Sequence, residues 1–308
     1  MGTRIDTVAT AHRRDRITRR GAVALSDEAA RRCLERAHHH GDELDLLINT
    51  GIYRDYNLAE PALASIIQED IGANPGRPPH FGHHGTFSFD IANGGCGVVT
   101  ALQLADGFVS AGTAQLAMIV AGDADPAPRT TRGFPFAPAG GAMLLEHVPD
   151  DTTGFLGFSI KTFADETASF VAEMGWQRDA GVFRHGRNVL EIHESPRFAE
   201  RCVEHGVAVA RALLASANLR IQDVGALIAS QYPKDFATSL AHRLELPADR
   251  VPRVAPDLAG SHTAGPIAAL EAATVSAQLA RVRHTLYVTA GAGPTIAAAL
   301  YRDTRAAA

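Results

Sequence analysis

Short apolar runs alternate along the chain with longer stretches whose apolar positions recur at helical spacing, and this interleaving predicts an α/β architecture. Ser26 to His40 is amphipathic and opens on a Ser-Asp-Glu cap signal, and Gly41 and the run Leu44 to Ile48 follow it, so the segment predicts helix, turn, strand. The same phrase returns later, where Arg197 to Asn218 carries helical spacing and Ile221 to Val224 leads into a strand at Ala226 to Ala229. Both phrases continue in parallel. Gly95 to Leu102 opens a helix that ends near Gly112 and feeds the strand Leu116 to Val120, and Gly260 to Gly265 opens one that runs to about Arg281 before the strand Thr285 to Thr289. A repeat of about 150 residues is too long for a solenoid and suits two fused α/β halves related by a pseudo-twofold, residues 1–150 and 151–308. Pro149 to Glu194 fits neither half, and carries Phe155, Phe158, Phe163 and the only tryptophan, Trp176, so residues 151–194 are assigned to a junction.

The strongest local signal for chemistry is Phe87 to Gly97, an alternating strand that breaks at glycines and delivers Cys96 to the first turn of a helix. A thiol there faces unpaired backbone N–H groups and the positive end of the helix dipole, both of which favour the thiolate. Flanking glycines let a substrate carbonyl approach the backbone, and the N–H of Cys96 then forms half of an oxyanion hole. The alternative is a buried structural cysteine, a common fate of free thiols. Cys33 and Cys202 lie inside helical repeats and read as core residues.

Composition narrows the function classes. With 308 residues, 46% hydrophobic and 20% charged, and a formal net charge of -5, the chain is neither disordered nor generally basic enough for nucleic acid or an anionic membrane. Three cysteines do not make a disulfide framework and no run of about 18 apolar residues is present, so a reducing cytoplasm is the expected compartment. His38, His39 and His40, and His80, His83 and His84, lack convergent ligand geometry, and no metal site is expected. Gly291-Ala292-Gly293 lacks the spacing of a dinucleotide loop.

The order of elements and several phrases resemble the thiolase superfamily, specifically its ketoacyl-acyl-carrier-protein synthase III branch. The phrases are Phe89 to Gly97, the helix after it with Ala114 to Gly122, the glycine-rich strand Gly140 to Leu145, and Gly291 to Thr295. The resemblance implies a duplicated five-layer αβαβα sandwich, a dimer with itself or with a related synthase, and no permanently bound cofactor. It implies that Cys96 takes an acyl group from acyl-CoA or acyl carrier protein, that the N–H groups of Cys96 and Ala292 form the oxyanion hole, and that a second substrate attacks the thioester.

Two departures stand out. The family has a histidine just after the strand that here ends at Ala229, where this chain reads Ser230-Gln231-Tyr232-Pro233, and an asparagine in the turn that here reads Ala259-Gly260-Ser261-His262-Thr263. Ser230 and Gln231 offer only neutral hydrogen bonds to an enolate, which puts decarboxylative condensation in question. His262 is the candidate general base and Asp257 its candidate orienting carboxylate, an arrangement similar to relatives that make esters or amides. His262 is otherwise an ordinary turn histidine, and Asp257 a turn cap. The second departure is at the N-terminus, where Val8 to Ser26 is short and lacks the family's tryptophan. A reduced CoA clamp favours a carrier-protein donor, with Arg13, Arg14, Arg16, Arg19 and Arg20 either a docking patch or a solvated loop. Three readings result: an acyltransferase of a specialised biosynthetic pathway that passes the acyl group to a carbanion, hydroxyl or amine acceptor, a non-catalytic thiolase-fold partner of an active synthase, or a full condensing enzyme that uses a non-decarboxylated nucleophile or recruits His262 for the missing role.

Overall fold

The computed structural model describes residues 2–12, 21–57, 60–73, 85–178 and 186–304. The first half runs β1 (Gly2–His12), α1 (Ala22–Ala37), β2 (Leu46–Asn49), α2 (Leu63–Asp70), β3 (Phe87–Asp90), α3 (Gly97–Ser110), β4 (Leu116–Asp123) and β5 (Ala139–Val148). The rest runs β6 (Gly154–Thr162), β7 (Phe170–Arg178), β8 (Gly186–Glu194), α4 (Phe198–Ser216), β9 (Ala226–Ala229), α5 (Phe236–Leu244), α6 (Gly265–Val275), β10 (His284–Gly291) and β11 (Thr295–Arg302).

The strands form two equivalent sheets. The first is ordered β1-β5-β4-β2-β3 and the second β6-β11-β10-β9, so the second repeats the first with its last strand missing among the described residues. Strands β2, β3 and β4 run parallel, as do β9 and β10, while β5 and β11 return antiparallel. Parallel strands buried on both faces need continuous apolar sequence, and β4 and β9 are buried along their whole length.

Three apolar clusters divide the chain into layers. One joins α1 and α2 to the first sheet, one joins α4 and α5 to the second, and the largest packs α3 and α6 between the two sheets. The result is the five-layer αβαβα sandwich expected from the family resemblance. Helix α6 is apolar over its first turns because they are covered on every side, as the buried run Gly265 to Leu270 shows, and its exposed end is at Val275. Sheet and helices approach closely at the adjacent glycines of β5, which point to opposite faces. A Cβ at Gly140 would lie 2.1 Å from the Leu25 carbonyl oxygen of α1, and one at Gly141 would lie 3.0 Å from Ile267 Cβ of α6.

Several local expectations shift. Ser26 is not the cap of α1 but a buried residue within it, its hydroxyl donating to the Ala22 carbonyl oxygen at 2.8 Å. The cap comes from Asp55, whose carboxylate accepts the N–H groups of Ala22 and Val23 at 3.2 Å each. Helix α6 ends at Val275, and Gln278–Arg281 forms a separate 3-10 turn. Within the junction, residues 154–162 are β6, which pairs with β11 and completes the second sheet, while β7 and β8 form a two-stranded ribbon. Trp176 stands exposed on that ribbon. No described helix is long and apolar enough to cross a membrane.

One carboxylate holds the entry to the segment that carries Cys96. Asp90 accepts the N–H groups of Leu63 and Ala64 at the start of α2 at 2.9 and 2.8 Å, accepts from Asn49 Nδ2 at 3.1 Å, and pairs with Arg54 at 2.5 Å. Asp90→Ala is expected to lower the unfolding free energy by about 2–3 kcal/mol, since it removes a helix cap and leaves a largely buried guanidinium without this partner. Urea denaturation of the two proteins checks this, and an unchanged midpoint would contradict it.

Candidate active site

The residues singled out for chemistry gather at the carboxyl ends of the parallel strands, where α/β sheets place their ligands. Thr50 follows β2, Asp123 ends β4, Ser230 follows β9, and Gly291 ends β10. The starts of α3 and α6 face this edge and bring Cys96 and the turn of His262.

Cys96 closes the 3-10 turn Gly94–Cys96 and is the cap residue of α3. The glycine frame around it is a packing requirement. A Cβ at Gly95 would come 2.1 Å from the Ala290 carbonyl oxygen, and one at Gly291 would come 3.3 Å from Cys96 Sγ. The two halves of the chain therefore meet at the thiol, backbone against backbone. Its Sγ donates to the carbonyl oxygens of Thr295 at 3.2 Å and Thr289 at 3.5 Å, and the side chain has no exposed surface.

The thiolate expectation fails in this state. A helix N-terminus contributes at most about 2 kcal/mol toward a nearby anion. Burial outweighs it and pushes the Cys96 thiol up to about 12. The Cys96 N–H is also engaged, donating to the Asn93 carbonyl oxygen at 3.0 Å. Ala292 lies exposed in the turn between β10 and β11, and the left-handed position of that turn falls on Gly293 (φ 97°), so alanine is accommodated without strain. A Cβ at Gly94 would lie 3.9 Å from the Ala292 nitrogen, which sets that N–H beside the turn that carries Cys96.

Ser230 and Gln231 serve the backbone. The Ser230 hydroxyl accepts the Ala290 N–H at 3.0 Å and is buried, and Gln231 Nε2 donates to the Ala229 carbonyl oxygen at 3.1 Å. Cys33 and Cys202 are core residues, the first donating to the Thr7 carbonyl oxygen at 3.4 Å.

His262 is 8% exposed and sits in an aromatic recess, its ring centroid 4.2 Å from that of Phe136 and 5.2 Å from that of Tyr53. The carboxylate set against it is Asp123, with Oδ2 3.3 Å from Nδ1, in place of the expected Asp257. Asp257 lies partly buried in the turn before His262. The substitution has a physical reason, because Asp123 ends a fully buried strand directed at the turn, and an ionised carboxylate there requires donors. It receives the N–H groups of Ile52, Tyr53 and Thr263 at 3.0, 2.8 and 3.0 Å and the Thr263 hydroxyl at 2.5 Å. Burial works to raise its carboxyl, but the contact with His262 and these hydrogen bonds hold it below the ordinary carboxylate range. Among the described residues no hydrogen bond joins His262 to Cys96.

Asp123, Tyr53 and Phe136 were missed by sequence reasoning. The available signal was a carboxylate ending the apolar run Leu116 to Gly122, an expensive placement unless something pairs with it. Among the described residues no group of three or more His, Cys, Asp or Glu side chains could hold a metal ion. His39 Nδ1 lies 3.0 Å from Glu43 Oε2, and His80, His83 and His84 lie outside the described residues, as do Arg13 to Arg20.

The duplicated αβαβα sandwich is the fold of the thiolase-like synthases. Residues 89–164 match the family described as 3-oxoacyl-[acyl-carrier-protein] synthase III and residues 214–303 match its C-terminal counterpart. The β-ketoacyl-[acyl-carrier-protein] synthase III of Solibacter usitatus (strain Ellin6076) is 28% identical over 298 residues, covering 91% of this chain and 84% of that protein. The 3-oxoacyl-[acyl-carrier-protein] synthase III of Aquifex aeolicus VF5 superposes with a TM-score of 0.81 at 19% identity, over 98% of this chain and all of that one. A Cys-to-Ser form of Xanthomonas campestris OleA, solved with lauric acid and lauroyl-CoA, superposes with a TM-score of 0.76 at 14% identity, over 98% and 99%. The chain belongs to the ketoacyl-acyl-carrier-protein synthase III-like branch of the thiolase superfamily.

Because the thiolate is the species that alkylates, a thiol pushed up to about 12 reacts slowly at neutral pH and about tenfold faster for each pH unit gained. Iodoacetamide labelling of Cys96 in the free protein, followed by peptide mapping, is expected to accelerate without a plateau to at least pH 10. A plateau near pH 8 would show an activated thiolate and contradict the buried state.

Proposed function

We propose that this chain is an acyltransferase that takes an acyl group as a thioester on Cys96 from acyl-CoA or an acyl carrier protein and passes it to a second substrate in a specialised biosynthetic pathway. The observation that carries the reading is the thiol at the start of α3, framed by Gly95 and Gly291 so closely that neither position has room for a side chain without displacing its neighbours. Such a frame supports a carbonyl lying flat against backbone, with the N–H groups of Cys96 and Ala292 as its oxyanion donors once the Asn93 contact is exchanged. Each such donor contributes about 3 kcal/mol to a tetrahedral intermediate.

The acylation step is a thioester exchange: Cys96 Sγ bonds to the acyl carbon, the donor's C–S bond breaks, and the donor thiol leaves with the proton lost by Cys96. His262 acts as the base for proton movement at this edge. Ser230 and Gln231 are adjacent polar groups, tied to backbone, whose neutral character suits acyl transfer better than stabilisation of a carbanion. The chain works without a permanent cofactor, as a dimer with itself or with a related synthase, and takes its acyl group from acyl-CoA or an acyl carrier protein.

A second reading is favoured by the sealed, protonated state of Cys96: a non-catalytic partner subunit that shapes an active synthase. Intact-protein mass spectrometry after incubation with a panel of acyl-CoA and acyl-carrier donors separates the two. A mass gain equal to one acyl group in the wild type and none in Cys96→Ala is expected. No gain from any donor would overturn the acyltransferase reading and leave the partner subunit.

A further inference from the structure

We propose that Asp123 is the positioning residue of the site: it holds the His262 imidazole with its proton on Nδ1, leaving Nε2 as the proton acceptor for a hydroxyl or amine substrate. The inference rests on the acyl-transfer reading and names the acceptor class that reading leaves open.

His262 Nδ1 is sealed from solvent and has no aligned hydrogen-bond partner in the free protein, and the group in reach is the Asp123 carboxylate at 3.3 Å. Phe136 and Tyr53 pack against the ring. Nε2 makes no hydrogen bond to the described residues and is not sealed as Nδ1 is. A neutral imidazole carries one proton, and an anion facing one nitrogen draws it there. Catalytic contacts of this kind are often oblique in a free enzyme and align when substrate binds.

Asp123 is itself fixed. It is 2% exposed, and its oxygens receive backbone N–H groups from both halves of the chain, Ile52 and Tyr53 on one side and Thr263 on the other. A single carboxylate thus sets the segment carrying Tyr53 and the turn carrying His262. Thr263, next to His262, spends both its N–H and its hydroxyl on Oδ2, so the turn has little freedom to swing the ring away.

The tautomer decides the chemistry. An enolate oxygen has to be met by an N–H donor, and Nε2 in this form offers a lone pair instead. A lone pair suits an O–H or N–H acceptor. The acceptor oxygen or nitrogen bonds to the acyl carbon while its proton passes to Nε2. The C–Sγ bond then breaks with its electron pair on sulfur, and the imidazolium, stabilised by Asp123, returns the proton to Cys96. The products are an ester or amide and the free thiol.

Nitrogen-15 histidine labelling and long-range proton–nitrogen correlation read the tautomer directly, with the His262 signals identified by their loss in His262→Gln. In the neutral wild type the proton is expected on Nδ1 with Nε2 bare, and in Asp123→Asn the preference is expected to collapse. With acyl-enzyme formed beforehand on Cys96, Asp123→Asn is expected to slow transfer to a hydroxyl or amine acceptor by about 10²–10⁴-fold. A neutral wild-type ring protonated on Nε2, or wild-type transfer rates in Asp123→Asn, would overturn the proposal. Should Asp123→Asn fail to fold, the wild-type tautomer decides alone. Should Cys96 never acylate, the acyltransferase reading fails, and the tautomer measurement still tests the role of Asp123.

Discussion

The constraint on which the structure depends is the burial of α3 and α6 between two sheets. The first turns of both helices are covered and apolar, Gly97 to Val99 in α3 and Gly265 to Leu270 in α6, while their C-terminal halves reach the surface at Leu104 and Val275. Their unpaired backbone groups are then confined to the ends, and polar side chains that need to reach this layer have to enter there. Cys96 precedes α3 and His262 lies in the turn before α6. The chemistry is concentrated where the fold leaves room for polarity.

Close packing at that edge has an electrostatic cost. Bringing Gly291 and Gly95 into contact around Cys96 removes water from the sulfur, and desolvation then outweighs the helix dipole. Asp123 shows the opposite balance at almost equal burial, because four hydrogen-bond donors and the His262 ring surround it and keep it charged. One site thus contains a thiol held neutral and a carboxylate held ionised. The difference lies in the partners rather than in the depth.

Much of the fold was legible in the sequence because it is written locally. Apolar runs and helical periodicity marked α1, α3, α4, β4, β9 and β10, and their recurrence in the same order revealed the duplication. The glycines around Cys96 marked, for the same reason, the segment where the two halves pack backbone against backbone. Contacts made across long separations were not legible. Ser26 looked like a cap since nothing nearby shows that Asp55 performs that role, and Asp257 looked like the partner of His262 by proximity in sequence. Asp123 and Thr263 stand 140 residues apart, and only the stacking of the two sheets brings them together. The charge state of Cys96 was misjudged likewise, since its position on a helix is local and its burial is not.

Under the proposed function, the edge where both halves meet holds one acyl group between Cys96 and the backbone of the opposite half. A crystal structure of the protein after incubation with an acyl donor tests it most directly. The expected result is a thioester on Cys96 whose carbonyl oxygen lies within hydrogen-bond distance of the Ala292 N–H, with the Asn93 contact to the Cys96 N–H released. An acyl group bound elsewhere, or a Cys96 still hydrogen-bonded to Thr295 and Thr289 with donor present, would contradict it.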